Sequence, residues 1–467
     1  MRSAVAAVWW TLPLLVATLG SASGDVYTIV TSPDATKGEA FAAQELAHML
    51  GNISNGGVAL NISNVSEAPT GLRIAVGYTA SVGLGVKPAD LVGMGLEGFR
   101  ISVPSPRNSL PTSCFAVSGS HQAKRGAMFG VYEFLNRLGQ EFMAWDLTVF
   151  PAGAPTADLP ALLRQLPAAD VVIQPSFMYR DLGEWPVYSN RLHTRRMRLN
   201  NNAHLECVED SANQWCKDSL GNNWDSFQFA KPPGMAHTIY KLLCSNGTQS
   251  DPNGHCTNPL KPPQDLIKTN PEWFWPHGDA DTYGQVCYHN QSLIAFLVKQ
   301  VKTILKHNPD VPWLSVTQND NTNDCMDPAE LAILKEEGGH RAGNQLRAVN
   351  AIADAVVGDY PVLIDTFAYE QTSFVPAVTK PSKNVIIRLA TTWCNALLPI
   401  NDSALTNCGT RRMVESWGAI SEHLSVWDCE CACSYVPQQP QRQPLTLMAV
   451  FVIVPGLPQT LRTTTAQ

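Results

Sequence analysis

The sequence predicts an α/β protein in two parts, a small N-terminal α/β domain followed by an incomplete (β/α)8 TIM-type barrel. Helical stripes of apolar residues alternate along the chain with short runs of strand-forming residues. In the second half that order recurs as helix then strand, which implies a parallel sheet. The 467 residues also exceed the roughly 250 to 300 that one core usually supports, so two domains are expected.

Residues 1–24 read as a secretory signal: Met1 and Arg2, an apolar run from Ala4 to Leu19, then small residues with cleavage after Ala22 or Gly24. The N-terminal domain is placed at 25–150. Val26 to Val30 is strand-like, and Lys37 to Leu50 puts Phe41, Ala42, Leu46, Met49 and Leu50 on one helical stripe. Strand-like stretches follow at Leu72 to Tyr78, Gly98 to Val103 and Cys114 to Ser118. A second helix, Ala123 to Leu138, ends at Gly139, a suitable C-cap. The Pro- and Ala-rich stretch 151–169 reads as a linker.

The barrel is assigned to 170–436. Phe177 to Trp185 begins as a strand, and Arg196 to Glu209 holds another candidate. Helix Gln291 to Lys306 leads into the strand Trp313 to Asp320. Asp327-Pro328-Ala329-Glu330 resembles a capping box with Pro at N1. Helix Asn344 to Gly358 and strands Val362 to Tyr369, Asn384 to Trp393 and His423 to Asp428 complete the series. Residues 437–467 read as an irregular tail, whose apolar run Leu445 to Leu457 falls short of the ~20 residues a bilayer span needs.

Composition narrows the function classes. A net charge of -7 without a long basic run excludes nucleic acid as the expected partner. Six Asn-x-Ser/Thr sequons, at Asn52, Asn61, Asn64, Asn246, Asn290 and Asn401, agree with a secreted or endomembrane-lumenal glycoprotein. In that compartment the twelve cysteines favour disulfides. Cys429, Cys431 and Cys433 lack the spacing of a structural zinc site. No metal, cofactor or stable membrane insertion is expected.

There is no glycine-rich phosphate loop, His-Glu-x-x-His helix or Gly-x-Ser-x-Gly elbow. The chemistry is therefore sought at strand ends, and Asp320 is the first candidate, since barrels place catalytic carboxylates at the C-terminal mouth of parallel strands. A turn residue capping the following loop is the plainer reading of Asp320. Asp365, in mid-strand, is expected to be paired inside the barrel because an unpaired buried charge is costly.

The segment RGAMFGVYEFLNRLGQEFMAWD resembles the second helix and following strand of the small N-terminal domain of α-glucuronidases and β-hexosaminidases. From His237 to Asp428, the ordered set AHTIYKLL, NPEWF, CYHNQSLIAFLVKQVKTILKHNPDVPWLSVTQNDN, LRAVNAIADAVVGDYPVLIDTFAYEQT, KPSKNVIIRLATTW and LSVWD resembles an uncharacterised glycosidase-like family, a domain of unknown function. Two departures stand out: Met326-Asp327-Pro328-Ala329 where relatives carry further cysteines, and CECACSYVPQQPQRQPLTLMAV after Asp428. The second leaves the barrel without its eighth strand.

The resemblance implies hydrolysis of a glycosidic bond in an extracellular glycan, a hexosaminide or uronide, with a carbohydrate as ligand. Asp320 is then the candidate general acid, with Asp428, or more weakly Glu370, as the second carboxylate. Asn319 stands where β-hexosaminidases carry the first member of an acidic pair, and it is a candidate substrate contact. Arg180 and Asp181 are candidate sugar contacts, with an ion pair among Arg180, Asp181 and Glu184 as the alternative. Trp185, Tyr369, Trp393 and Trp427 close strands and suit stacking on sugar rings, or rim packing. His237 is a candidate hydrogen-bond donor or an ordinary structural histidine. A non-catalytic carbohydrate-binding protein and an inactive truncated product are the competing readings.

Overall fold

A computed structural model describes residues 27–54, 58–62, 71–105, 110–111, 113–121, 123, 125–144, 146–167, 170–182, 191–200, 229–230, 233–244, 263–279, 284–309, 311–391, 409–430 and 447–453. It is a mixed α/β structure with two six-stranded sheets and one hairpin among those residues. The first sheet contains β1 (Tyr27–Thr31), β2 (Val58–Ile62), β3 (Arg73–Val76), β4 (Phe99–Ser102), β5 (Cys114–Gly119) and β8 (Val171–Ile173), in the order β2-β1-β3-β5-β4-β8. The hairpin pairs β6 (Glu141–Ala144) with β7 (Leu147–Val149).

Both predicted helices of this half form, as Lys37–Ser54 and Gly126–Arg137, and their apolar stripes pack on the sheet with Ile29, Ile74, Phe99 and Val117. The first is started by a reciprocal cap: Thr36 Oγ1 accepts from Glu39 N at 3.2 Å while Glu39 Oε2 accepts from Thr36 N at 2.9 Å. Gly139 closes the second in the left-handed region, φ 90°. The stretch read as a linker is built into the domain instead. Residues Leu159–Arg164 are helical, Asp158 caps them, and Leu159, Leu163 and Leu166 are buried in the same core. β8 then adds antiparallel to β4, so the sheet extends past the boundary drawn at 150.

The second sheet holds β9 (Phe177–Leu182), β10 (Trp313–Ser315), β11 (Leu363–Ala368), β12 (Val385–Ala390), β13 (His423–Glu430) and β14 (Leu447–Ile453), in the order β10-β11-β12-β13-β14-β9. β10 to β13 run parallel, as their sequence order predicts. β14 is antiparallel to both β13 and β9, so β9 runs in the sense of β10 to β13. Part of the expected tail is thus a strand. LMAVFVI is rich in strand formers, and it fills the gap between β13 and β9 that the sequence left open. The candidate strand within 196–209 is not found in its described part, where a helix, Arg191–Arg196, precedes a turn.

One face of this sheet carries Leu314, Ile364, Ala368, Val385, Ile387, Leu389 and Leu424 against the helices Gln291–His307, Arg341–Val356 and Thr410–Gly418. The other carries Trp313, Asp365, Phe367, Ile386, Arg388 and Trp427. Arginines from 180–198 tie the second half to the first: Arg180 reaches Glu97 at 2.7 Å, Arg196 reaches Glu45 at 2.8 Å, and Arg198 pairs with Glu133. Among the described residues no helix is long and apolar enough to cross a membrane.

Glu337 fastens the loop that leads into β12. Its buried carboxylate accepts from Val378 N and Thr379 N, both at 3.0 Å, and from Arg347 Nε at 2.8 Å. Burial acts to raise its pKa, but the hydrogen bonds from Thr379, Val378 and Arg347 win and hold it at about 2. A carboxyl depressed from 4.5 to about 2 contributes stability above pH 4.5 that is lost as pH falls through about 2. Glu337→Gln should therefore cost about 3 kcal/mol at pH 7 in denaturant unfolding. The wild-type and variant curves should converge toward pH 2, and parallel curves would show that the charge is not what holds the loop.

Candidate active site

The site is built on a closed floor. Arg388 Nη2 lies 2.7 Å from Asp365 Oδ2, both side chains are 0% exposed, and Trp313 Nε1 donates to Asp365 Oδ1. The guanidinium carbon stands 5.2 to 5.8 Å from the ring centres of Phe229, Trp313, Phe367 and Trp427. Burial pushes the Asp365 carboxyl up to about 6 against the opposing pull of Arg388 and Trp313. Burial likewise lowers Arg388. Asp365 is paired, as its mid-strand position predicts. Tyr179 seals the floor from β9, its ring 5.1 Å from Phe229 and 6.0 Å from Trp313.

Above the floor, at the C-terminal edge of the parallel strands, the predicted strand Trp313 to Asp320 stops early. Ladder pairing ends at Ser315, with one further bond from Val316 N to Asp365 O at 2.9 Å. Side chains then take over the backbone. Thr238 Oγ1 accepts from Thr317 N at 2.9 Å, and Gln285 Oε1 accepts from Asn319 N at 3.1 Å. Gln285 Nε2 donates to the carbonyls of Asn319 and Asn321 at 2.9 and 2.7 Å. Asn319 is only 2% exposed and its Nδ2 donates to Gly284 O at 2.7 Å. It belongs to this scaffold, which differs from the substrate contact expected of it.

Asp320 leaves the scaffold and turns outward, its side chain 59% exposed. Tyr369 OH donates to its Oδ1 at 3.0 Å, and His237 Nε2 lies 3.9 Å from the same oxygen. His237 Nδ1 is 2.9 Å from Gln318 O, so that nitrogen carries a proton. Its ring stands 5.5 Å from Phe367, which stands 5.5 Å from Trp427. Asp320, Tyr369, His237 and Trp427 are thus brought into one connected cluster with Phe367. His237 and Glu370 have left-handed backbones, φ 48° and 52°. Such strain in non-glycine residues concentrates at functional sites. Glu370 opens the short turn Glu370–Thr372 immediately after Tyr369.

Other predicted positions fall elsewhere. Arg180 is engaged by Glu97 and by the carbonyls of Phe177 and Arg198, at 2.8 and 2.9 Å, and it packs over Phe129. Its donors are taken up by these groups, which describes neither the sugar contact nor the pairing with Asp181, and Glu184 lies outside the described residues. Asp181 is buried and accepts from Tyr179 OH at 2.8 Å. Of Asp428 only the backbone is described, on β13 opposite Ala449. Trp185 and Trp393 lie outside the described residues. Sequence reasoning missed Gln285, Gln318 and Gln345, whose amides hold the rim. Glutamine carries no motif, and only the unmatched backbone groups past Ser315 call for them.

The expected capping box at Asp327 does not form. Asp327 makes no side-chain cap bond. Its Oδ1 is 2.5 Å from His277 Nε2 and its Oδ2 is 3.6 Å from His289 Nε2, while Glu330 accepts from His289 N at 2.8 Å. Burial alone would lower His277, but Asp327 and the carbonyls of Pro271 and Phe274 outweigh it and raise the pKa. His277, Cys287 and Asp327, and likewise His289, Cys325 and Asp327, hold possible metal-ligand atoms within 4.8 Å. The two sulfurs are joined in the disulfide Cys287–Cys325, which removes both thiolate donors. Cys244 is also disulfide-bonded.

The left-handed strain makes a separable prediction. Glu370→Gly should raise the unfolding free energy by about 1 kcal/mol in denaturant titration, whereas Glu370→Ala should leave it nearly unchanged. A loss in the glycine variant would mean that the Glu370 side chain itself holds the rim.

No curated protein matches the chain. Among solved structures, one described as a novel family GH115 4-O-methyl-alpha-glucuronidase, BtGH115A, with specificity for decorated arabinogalactans, is similar. Its TM-score is 0.38 and its identity 12%, over 78% of this chain and 45% of that one. Another, described as a GH138 enzyme targeting pectin rhamnogalacturonan II, is similar with a TM-score of 0.29 and 9% identity, over 86% of this chain and 38% of that one. The chain thus spans less than half the length of either. Residues 156–441, more than half of the sequence, match the family described as Domain of unknown function (DUF4838), and the chain belongs to that family.

Proposed function

We propose that the chain acts on carbohydrate and hydrolyses a glycosidic bond at the C-terminal edge of β10 to β13. The observation that carries this reading is the position of Asp320, an exposed carboxylate held by Tyr369 OH at 3.0 Å, with His237 3.9 Å away and the rings of Phe367 and Trp427 beyond His237. Glycoside hydrolysis needs such a carboxylate, and aromatic faces suit the apolar faces of sugar rings. The second sheet is read as the wall of an incomplete (β/α)8 barrel. In support, Phe229 bridges in parallel to Trp313, and helices cover one face while the other carries the buried charges and rings.

With a phenol donating to it, Asp320 is arranged as an acceptor. That suits a base or nucleophile better than the general acid its strand position alone suggests. The proton-donor role then passes to Asp428 or Glu370. In this reading Trp427 contacts the sugar, and the substrate is a hexosaminide or uronide of an extracellular glycan. A secreted or lumenal location is part of the proposal, supported by the N-terminal apolar run, the sequons and the disulfide.

The exposure of Asp320 favours a second reading, non-catalytic carbohydrate binding, because catalytic carboxylates gain from exclusion of water. A screen of aryl glycosides and uronides separates the two. Catalysis predicts that Asp320→Asn lowers kcat/KM by on the order of 10³ and Tyr369→Phe by about 10-fold. Equal rates in wild type and Asp320→Asn remove Asp320 from the mechanism. Binding alone predicts no turnover, with glycan retention lost in Trp427→Ala and kept in Asp320→Asn.

A further inference from the structure

We infer that a hard, oxygen-seeking cation of the calcium class binds in the polar cavity beneath the rim, between the loop after Asp320 and the helix Arg341–Val356. The cavity is lined by Asp324, Tyr288, Glu330, Asn344, Gln345 and Gln371, and it has room for about one water-sized body. Asn344 and Gln345 are each 2% exposed. The Oδ1 of Asn344 and the Oε1 atoms of Gln345 and Gln371 are all buried, and none finds a donor among the described residues. Tyr288 OH is in the same condition.

Backbone carbonyls fix the sense of these amides. Asn344 Nδ2 donates to Glu330 O at 2.8 Å, and Gln371 Nε2 donates to Asn321 O at 3.0 Å. Gln345 Nε2 donates to Gln318 Oε1 at 2.8 Å, and Gln318 is oriented in turn by its own donation to Tyr369 O at 3.3 Å. A carbonyl accepts only, so turning any of these amides over would set oxygen against oxygen. Three carbonyl-type oxygens are therefore left at one cavity, beside Asp324, whose Oδ1 also accepts from Gln371 Nε2 at 3.2 Å, and Glu330, whose Oε2 also accepts from His289 N at 2.8 Å.

Each buried acceptor left unmatched costs about 1 to 3 kcal/mol. A single water donates two hydrogens and cannot serve three amide oxygens. A cation such as Ca2+ takes six to eight oxygens at roughly 2.3 to 2.6 Å and serves them together. Arg341, 3.4 Å from Asp324 and bonded to Cys325 O at 3.0 Å, offsets one of the two carboxylates. The remaining negative charge and the neutral oxygens suit a calcium or sodium ion. Magnesium is the poorer fit, because it demands a tight octahedron and keeps its own waters. Bound there, the ion braces the 318–325 segment against the 369–372 turn, the two segments that hold Asp320 and Tyr369.

The test uses the full chain stripped with EDTA and titrated separately with CaCl2, NaCl, MgCl2 and TbCl3, followed by calorimetry, thermal unfolding and terbium luminescence. Saturable binding of one equivalent of Ca2+ or Na+ is expected, with Tb3+ competing at the same site and the unfolding midpoint rising by a few degrees at saturation. Gln345→Met and the less buried Gln371→Met, each with a wild-type circular dichroism spectrum, should weaken binding at least tenfold. The absence of saturable binding of any of these ions by the folded wild type would overturn the inference. So would binding unchanged in both variants, or a high-resolution map with one atom ~2.8 Å from the amide oxygens, the distance of water.

Discussion

The rim of the site depends on one constraint: the backbone from Thr317 to Asn323 has left the sheet and still has to satisfy its hydrogen bonds. A buried peptide group without a partner costs as much as a lost hydrogen bond, so something must replace the ladder. Thr238 and Gln285 do so, and Gln285 serves both sides of Asn319 and the carbonyl of Asn321. Each amide offers donor and acceptor in one plane, which lets it copy a strand partner over a short distance. Asp320 is aimed outward because its neighbours on either side are held inward. The same need brings Gln318, Gln345 and Gln371 together beneath the rim, and with them the cavity of surplus oxygens.

The floor answers a different need. The face of the second sheet turned away from the helices carries Asp365 and Arg388, two charges that no water reaches. Such a pair is tolerable only when its remaining polar atoms and flat surfaces are covered. Trp313 supplies a hydrogen bond, and four aromatic rings surround the guanidinium. This plug covers that face of the sheet below the level of His237, Tyr369 and Asp320, which is where the proposed site lies. It also accounts for the solvent around Asp320.

What is legible in the sequence follows from what periodicity encodes. Helices at Lys37, Gly126, Gln291 and Arg341 and the parallel strands β10 to β13 are readable because each buries a regular stripe. The stretch 151–169 reads as a linker because Pro and Ala dominate its composition, while the few leucines that anchor Leu159–Arg164 give too short a pattern. The tail hides its strand because LMAVFVI, a plain apolar run, names no partner until β13 and β9 are seen to leave a gap. At the site, Asp320 is readable as the carboxylate of the segment that follows a strand, although the strand itself ends five residues earlier, at Ser315. Arg180 is misplaced by sequence because its partner Glu97 is 83 residues away, in the turn that leads into β4. Asp327 has the form of a helix cap, but two histidines compete for its carboxylate, and a local pattern cannot register a competitor from another loop.

The reversed strand bears on the chemistry as well as on the fold. A parallel final strand would end at the rim and lead into a helix, adding one more loop of the kind that carries catalytic groups in barrels. β14 instead begins there, with Leu447 opposite Glu430 at the end of β13, and runs away from the rim to Ile453. Glu430, the last residue of β13, and Leu447, the first of β14, therefore both lie at that edge. A strand can close a sheet in either direction as long as its backbone pairs and its faces suit the two sides, so the fold tolerates the reversal. The chemistry has less freedom. In the proposed reading the partner of Asp320 is Asp428, on β13, or Glu370, just past β11, and not a residue at the far end of β14, which runs away from this edge.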